Sequence, residues 1–268
     1  MCLRKIAAST GVTVVLLFST AVAAQTYCEA GNGPLRTDPL EKSSLENTIR
    51  RFAENESRSK HAIADYTFTE DLHIQTLSGM TPRGTPIIDG ELKQTTDVSF
   101  DRQGRRLEHV TYAPPSTLRR VSLMPQDLQD IHDIMMFAIT TEELPSYNIS
   151  YVGQQHIDEL DSYVFDVAPK ALEKGKRYFE GKIWVDSRDL AVVKTCGKSV
   201  PDIQHAKGEE NMTPKFVTYR EQFSGYWFPT YVRSDDFLFF RQGAIRIREI
   251  VKNSNYKQRT VQDSASGH

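Results

Sequence analysis

The stretch "YFEGKIWVDSRDLAVVKTCGK", Tyr178 to Lys198, reads as one strand, a tight turn and a second strand, because its apolar residues recur with a two-residue period. It holds no nucleophile beside a base, no phosphate loop and no metal cluster. The same period returns upstream in "ADYTFTEDLHIQTL", where Tyr66, Phe68, Leu72 and Ile74 share one phase, and in "GELKQTTDVSFD" and "RRLEHVTYA", joined by "DRQG". After Tyr147 it recurs in "YNISYVGQQHID", "DSYVFDVAP", "KFVTYREQF", "YWFPTYVRSDDFLFF" and "AIRIREIVKN". About ten strands joined by short polar turns predict an antiparallel meander, since a parallel sheet needs helices between its strands.

Two segments carry helical spacing instead. In "PLEKSSLENTIRRFAENESRSKHAI", Leu40, Leu45, Ile49, Phe52 and Ala53 fall on one face, and in "MPQDLQDIHDIMMFAIT" Leu128, Ile131, Met135 and Ala138 do the same. The predicted fold is mainly β with some α: an unclosed antiparallel barrel of about 10–11 strands, with both helices lying over its concave face as a lid.

The chain opens with Arg4 and Lys5, then an apolar run ending in "AVAA", the form of a cleaved signal peptide over residues 1–24. The run is too short and too interrupted by Ser9, Thr10, Gly11 and Thr13 for a bilayer span, which needs roughly 20 apolar residues. Residues 25–258 then form a single domain, and residues 259–268 a disordered tail. The expected location is periplasmic or secreted. Removing Arg4 and Lys5 from 33 basic residues leaves 31 against 35 acidic ones, a balance that argues against nucleic acid as a partner. Cys28 and Cys196 remain as disulfide candidates in such a compartment; the distance that would decide their pairing is not written in the sequence.

Candidate chemistry is thin. Asp127, Asp130 and Asp133 with His132 invite a metal, but they drift around the helix, and acids in a first turn are expected from the helix dipole alone. His156 near Asp158, Glu159 and Asp161 alternates between faces and sits beside a turn. His61, His73, His109, His205 and His268 stand alone in the sequence. The expectation is no catalytic residue, no metal and no cofactor, hence no enzyme.

The succession of signal peptide, N-terminal helix, "DYTFTEDLHIQTL", "DVSFDRQGRRLEHV", "FEGKIWVDSRDLAVVKTCGK" and "YWFPTYVRSDD" resembles the periplasmic lipoprotein-carrier superfamily, the LolA/LolB-like proteins, and within it the outer-membrane lipoprotein-sorting type. The resemblance implies a hydrophobic cavity under a helical lid that receives acyl chains. In it Gly181, Trp184, Val185 and Asp186 build the strand and its turn, and Arg102 stands near the place of an arginine that holds the lid closed. The chain departs from the family in its greater length and in lacking a lipobox.

The resulting expectation is a non-catalytic, monomeric periplasmic carrier for lipid or lipoprotein acyl chains, exchanging cargo with inner- or outer-membrane proteins. Its cavity is expected behind Tyr66, Phe68, Leu72, Ile74, Val98, Phe100 and Phe165, with Ile131, Met135 and Met136 from the central helix. The alternative is a periplasmic sensor or adaptor that uses the same sheet to bind a partner protein, for instance through Trp227, Phe228 and Tyr231.

Overall fold

In a computed structural model, which describes Cys28 and residues 31–135, 137–202 and 213–259, ten strands form one antiparallel sheet. They are β1 (Tyr66–Met80), β2 (Pro86–Phe100), β3 (Arg106–Tyr112), β4 (Tyr147–Ile157), β5 (Leu160–Pro169), β6 (Tyr178–Asp186), β7 (Val192–Val200), β8 (Phe216–Phe223), β9 (Tyr226–Phe240) and β10 (Gly243–Gln258). The spatial order is β3-β2-β1-β10-β9-β8-β7-β6-β5-β4. The first and last strands therefore pair in the middle of the sheet, and the barrel stays open between its edges β3 and β4. The residues that connect those edges in sequence carry the central helix α2 (Pro125–Met135).

The quoted stretch is the β6–β7 hairpin. Gly181 pairs directly with Gly197, and a Cβ on either glycine would fall 2.2 Å from a backbone carbonyl oxygen of the facing strand. Two glycines are thus required at this one cross-strand step.

Helix α1 (Lys42–Ala62) buries Thr48, Phe52, Ala53 and Glu56, one face at helical spacing. Phe52 packs on Phe165 of β5 with ring centroids 5.7 Å apart, an aromatic contact worth about 0.5–1.5 kcal/mol beyond area burial. Ile131 of α2 joins the same core, with Leu72, Ile74, Ile183, Val232 and Ile247 from the sheet. Both helices lie on the concave face, as the sequence predicts. A smaller cluster forms at one end of β1 from Tyr66, Phe68, Val98, Phe100, Phe228 and Ile63.

The proposed signal peptide lies outside the described residues. So does the tail, except Arg259, whose guanidinium donates to the carbonyls of Phe100 and Ala64 and whose amide donates to Asp65. Arg259 is thus ordered, one residue beyond the predicted end of the domain. No helix among the described residues is long and apolar enough to cross a membrane.

Candidate functional site

The two edges of the sheet are treated differently. Along β4 the segment 31–38 lies as a strap. Gly33 N–H donates to His156 O at 2.8 Å, and Arg36 and Gln154 exchange both main-chain bonds at 2.7 and 2.8 Å. Tyr151 donates its hydroxyl to Asp38 O at 3.0 Å. Gly153 makes this approach feasible, since a Cβ there would stand 2.2 Å from Arg36 O.

Beneath the strap, on the convex face, Gln155 accepts Trp184 Nε1–H at 2.7 Å and Asn32 Nδ2–H at 3.1 Å, and donates to Gly33 O at 2.9 Å. Lys194, fully buried, donates to Asn32 Oδ1 and sits 4.8 Å from the Trp184 ring centroid and 5.1 Å from that of Tyr219. Cys28 and Cys196 are both disulfide-bonded.

At the other edge, β3 pairs with β2 alone among the described residues, and every residue of it after Arg106 is exposed. Leu107, Val110 and Tyr112 stand 48%, 46% and 56% exposed. The concave side of this region is covered by ionisable groups. Glu70 of β1, buried, accepts Arg106 Nη2–H at 2.8 Å and contacts His132 Nε2 of α2 at 3.0 Å; His132 Nδ1 reaches Glu108 Oε1 at 3.3 Å. Burial raises the Glu70 pKa, but the hydrogen bonds and charges of His132 and Arg106 outweigh it and hold the carboxyl below its ordinary value. His132 therefore does not belong to a solvated helix face. Its partners come from strands distant in sequence, which no local pattern announces. Asp127 accepts Met124 N–H at 2.6 Å and caps the start of α2.

An arginine does fasten the helices to the sheet, but it is Arg220 of β8. Its Nη1 donates to both carboxylate oxygens of Glu56 on α1, at 2.7 and 2.8 Å, and its Nη2 donates to Phe137 O beyond α2. Arg102, the sequence candidate, stands exposed in the β2–β3 turn. Nothing near "YREQ" in the sequence marks Arg220 as buried; only its inward phase on β8, beside Thr218 and Phe216, does so in retrospect.

The expected cavity residues divide between two packed clusters: Leu72, Ile74, Phe165 and Ile131 in the main core, and Tyr66, Phe68, Val98 and Phe100 in the smaller one. Met136 lies outside the described residues, and of Met135 only the helical backbone is described. The open volumes are at their margins. A pocket of about 200 Å³ is lined by Phe137, Tyr178, Phe179 and Phe216, together with Arg177 and Asp130; Arg177 donates to Ser199 Oγ and Thr213 Oγ1, both at 3.1 Å. A second cleft, of about 390 Å³, is bordered by Phe100 and Ile63 but also by Ser57, Lys60, His61 and Thr141. Of the aromatics expected to meet a partner, Phe228 is buried, and Trp227 and Tyr231 are half-buried.

His156 contacts Asp161 at 3.2 Å at the exposed turn of β4 and β5, and His73 contacts Glu91 at 2.9 Å; each histidine has a carboxylate partner. No group of three or more His, Cys, Asp or Glu residues placed to hold a metal occurs among the described residues.

No family pattern matches the chain, and no curated protein matches it. Among solved structures it is similar to MucB in complex with MucA(peri), at a TM-score of 0.24 and 9% identity, over 81% of this chain and 100% of the other. It is also similar to the Pseudomonas aeruginosa MucA/MucB complex, at 0.21 and 9%, over 76% and 98%. The dehydratase domain of the CurJ module of curacin polyketide synthase scores 0.17 at 10% identity, over 82% and 90%. At such scores the likeness has no bearing on function, and the fold rests on its own strand register.

Proposed function

We propose that this protein is a non-catalytic binding protein of the cell envelope that takes up an extended segment of a partner protein as an additional strand on β3. The observation that carries this reading is the contrast between the edges: residues 31–38 cover β4, whereas among the described residues none covers the free edge of β3, with Leu107, Val110 and Tyr112 exposed. An exposed apolar edge is a template for pairing that proteins ordinarily blunt. A strand added there gains main-chain hydrogen bonds, and alternate side chains read its sequence. Placement in the envelope follows from the signal-peptide reading of residues 1–24.

Site-specific photocrosslinking in intact cells tests it. A crosslinker at Val110 or Tyr112 should yield one dominant adduct through a segment of a single partner, and one at Asn148 or Ser150 of β4 should not. Equal labelling from both edges, or none from β3, would remove the reading.

A second reading, carriage of an acyl chain, is favoured by the aromatic pocket at Phe179, whose lining also holds Arg177 and Asp130, and by the resemblance to lipoprotein carriers. Its volume, about 200 Å³, falls below the roughly 300–1,000 Å³ of ordinary ligand sites, and the larger cleft at Phe100 has walls of mixed character, with Lys60, His61 and Glu142 beside Ile63 and Phe100. Carriage would thus need the helices to move. Uptake of a fluorescent fatty acid, abolished by Phe179→Asp, would promote this reading over the first.

A further inference from the structure

Helix α1 turns a polar face, Arg51, Asn55 and Arg58 at helical spacing, towards the turns that follow β6 and β8. Between them lies a cleft of about 310 Å³, also lined by Arg188 and Trp227. It shares no residue with β3 or with the aromatic pocket.

Its charge is unbalanced. Among the described residues Arg58 donates only to Asn55 Oδ1, at 3.4 Å, and its guanidinium carbon lies 5.8 Å from the Tyr226 ring centroid. Among the described residues no carboxylate forms an ion pair with Arg51, Arg58 or Arg188. The one acid in the lining, Asp189, is engaged internally: its Oδ2 accepts Gln222 Nε2–H at 3.0 Å and Trp227 Nε1–H at 3.3 Å. Its main chain is fixed as well, because Asn55 Nδ2 donates to Asp189 O and Leu190 O at 2.9 and 2.8 Å. Elsewhere arginines meet acids. Arg50, next in sequence, pairs with Glu54 at 2.6 Å, and Arg105, Arg120 and Arg246 each contact an aspartate within 3 Å.

Three guanidinium groups, each a forked set of donors, line this cleft against the single carboxylate of Asp189, a surplus of positive charge, and the turn that carries Arg188 is fastened by hydrogen bonds. Such donors match the oxygens of a tetrahedral oxyanion, and arginine is over-represented where phosphate is bound in this way. We infer that this cleft is a binding site for a phosphate-class oxyanion, either a soluble phosphorylated compound or the phosphorylated headgroup of a lipid, with Arg51, Arg58 and Arg188 as ligands and Trp227 as its wall.

Trp227 also reports on the site, because the other tryptophan, Trp184, is buried under the strap. Tryptophan emission of the full chain would be titrated with inorganic phosphate at constant ionic strength, with Trp227→Phe as background. Co-sedimentation with phosphatidic acid vesicles, and with phosphatidylcholine vesicles as control, is the second arm. The expected result is a saturable phosphate response, weakened roughly tenfold or more by Arg58→Gln or by Arg188→Gln, the cost of one charge-assisted hydrogen bond. These arginines are exposed, so the variants keep the fold, and an unchanged melting temperature checks this. Saturation by phosphate without vesicle binding assigns a soluble ligand; binding to phosphatidic acid vesicles that the same variants lose assigns the headgroup. A response equalled by chloride, binding unaltered in both variants, or silence in both arms overturns the inference.

Discussion

The two flanks of the sheet are built on different physics. Around β4 to β7, Trp184 is enclosed between sheet and strap, Gln155 has its hydrogen bonds satisfied, and the edge is bonded to residues 33–36. Around β1 to β3 the edge is bare among the described residues, and the cover is an ionisable cluster of Glu70, Arg106, His132 and Glu108. A closure built mostly of hydrogen bonds between neutral groups around a buried indole responds weakly to pH, whereas an ion-paired cover responds to it. The first flank is a foundation, and the second is where change can be registered.

The largest effect should come from breaking the foundation. Trp184→Ala removes a fully buried indole and leaves Gln155 Oε1 short of a donor, a loss of about 3–5 kcal/mol, or roughly 10 °C in Tm for a chain of this size. Tyr112→Ala on the open flank should change stability by less than about 0.5 kcal/mol. Thermal melts of the two variants measure the contrast directly, and similar losses would mean that the flanks are equally built.

Between the flanks, Arg220 holds α1 and the chain after α2 to β8. Arg220→Met leaves Glu56 as a buried carboxylate without its partner and should cost about 3 kcal/mol at pH 7. The loss should be smaller at pH 5, where the orphaned group takes up a proton. Adding Glu56→Leu should restore most of the stability, since a buried pair is worth little more than well-packed apolar residues. Denaturant titrations of single and double variants read this. If the double variant were as unstable as the single one, packing and not the ion pair would hold the helix.

The strands were legible in the sequence because a half-buried strand alternates, and alternation is local: all ten were placed within a few residues. Both helices were legible for the same reason, from their apolar faces. The pairing of β1 with β10, which puts the opening between β3 and β4, was not, because no residue pattern specifies which strand ends meet. Candidate-site residues suffered most. Inward phase predicted burial for Phe68, Leu72 and Phe165, but burial is shared by filled core and open pocket alike. The cleft arginines lie on α1 and on a turn more than a hundred residues away, so their convergence exists only in three dimensions.

A smaller effect distinguishes the ionisable cover by its pH response. Glu249 of β10 faces the concave side between the core residues Ile247 and Val251, across from Ile74 and Ser234. Burial, reinforced by the Asp127 carboxylate of α2, raises its pKa to about 7. The folded state therefore binds this proton more tightly than the unfolded state, and stability falls as pH rises from about 4.5 to about 7. Glu70 has the opposite sign. Its lowered pKa contributes stability above its unfolded value, and that contribution is lost as pH falls through the folded value. Glu249→Gln should stabilise the protein at pH 8 by on the order of 1–2 kcal/mol, allowing for residual solvent, with little change at pH 4.5. Hydrogen exchange should show the gain in α2. A pH profile unaltered by the substitution would exclude Glu249 as its source.

The smallest effect on stability should be the most informative about function. Val110→Lys places a charge on an exposed edge residue, where natural edge strands often carry lysine to discourage pairing. Stability should change by less than about 0.5 kcal/mol, because Val110 contacts water and not core. A partner segment added to β3 would lose its apolar contact with Val110 and meet an ammonium group, so the adduct from a crosslinker at Tyr112 should fall severalfold. Asn148→Lys on β4 should leave that adduct unchanged. The two substitutions add the same charge at opposite edges of one sheet, so a difference between them isolates the open edge. If both diminish the adduct equally, long-range charge and not strand addition governs capture, and the contrast between the edges is architectural only.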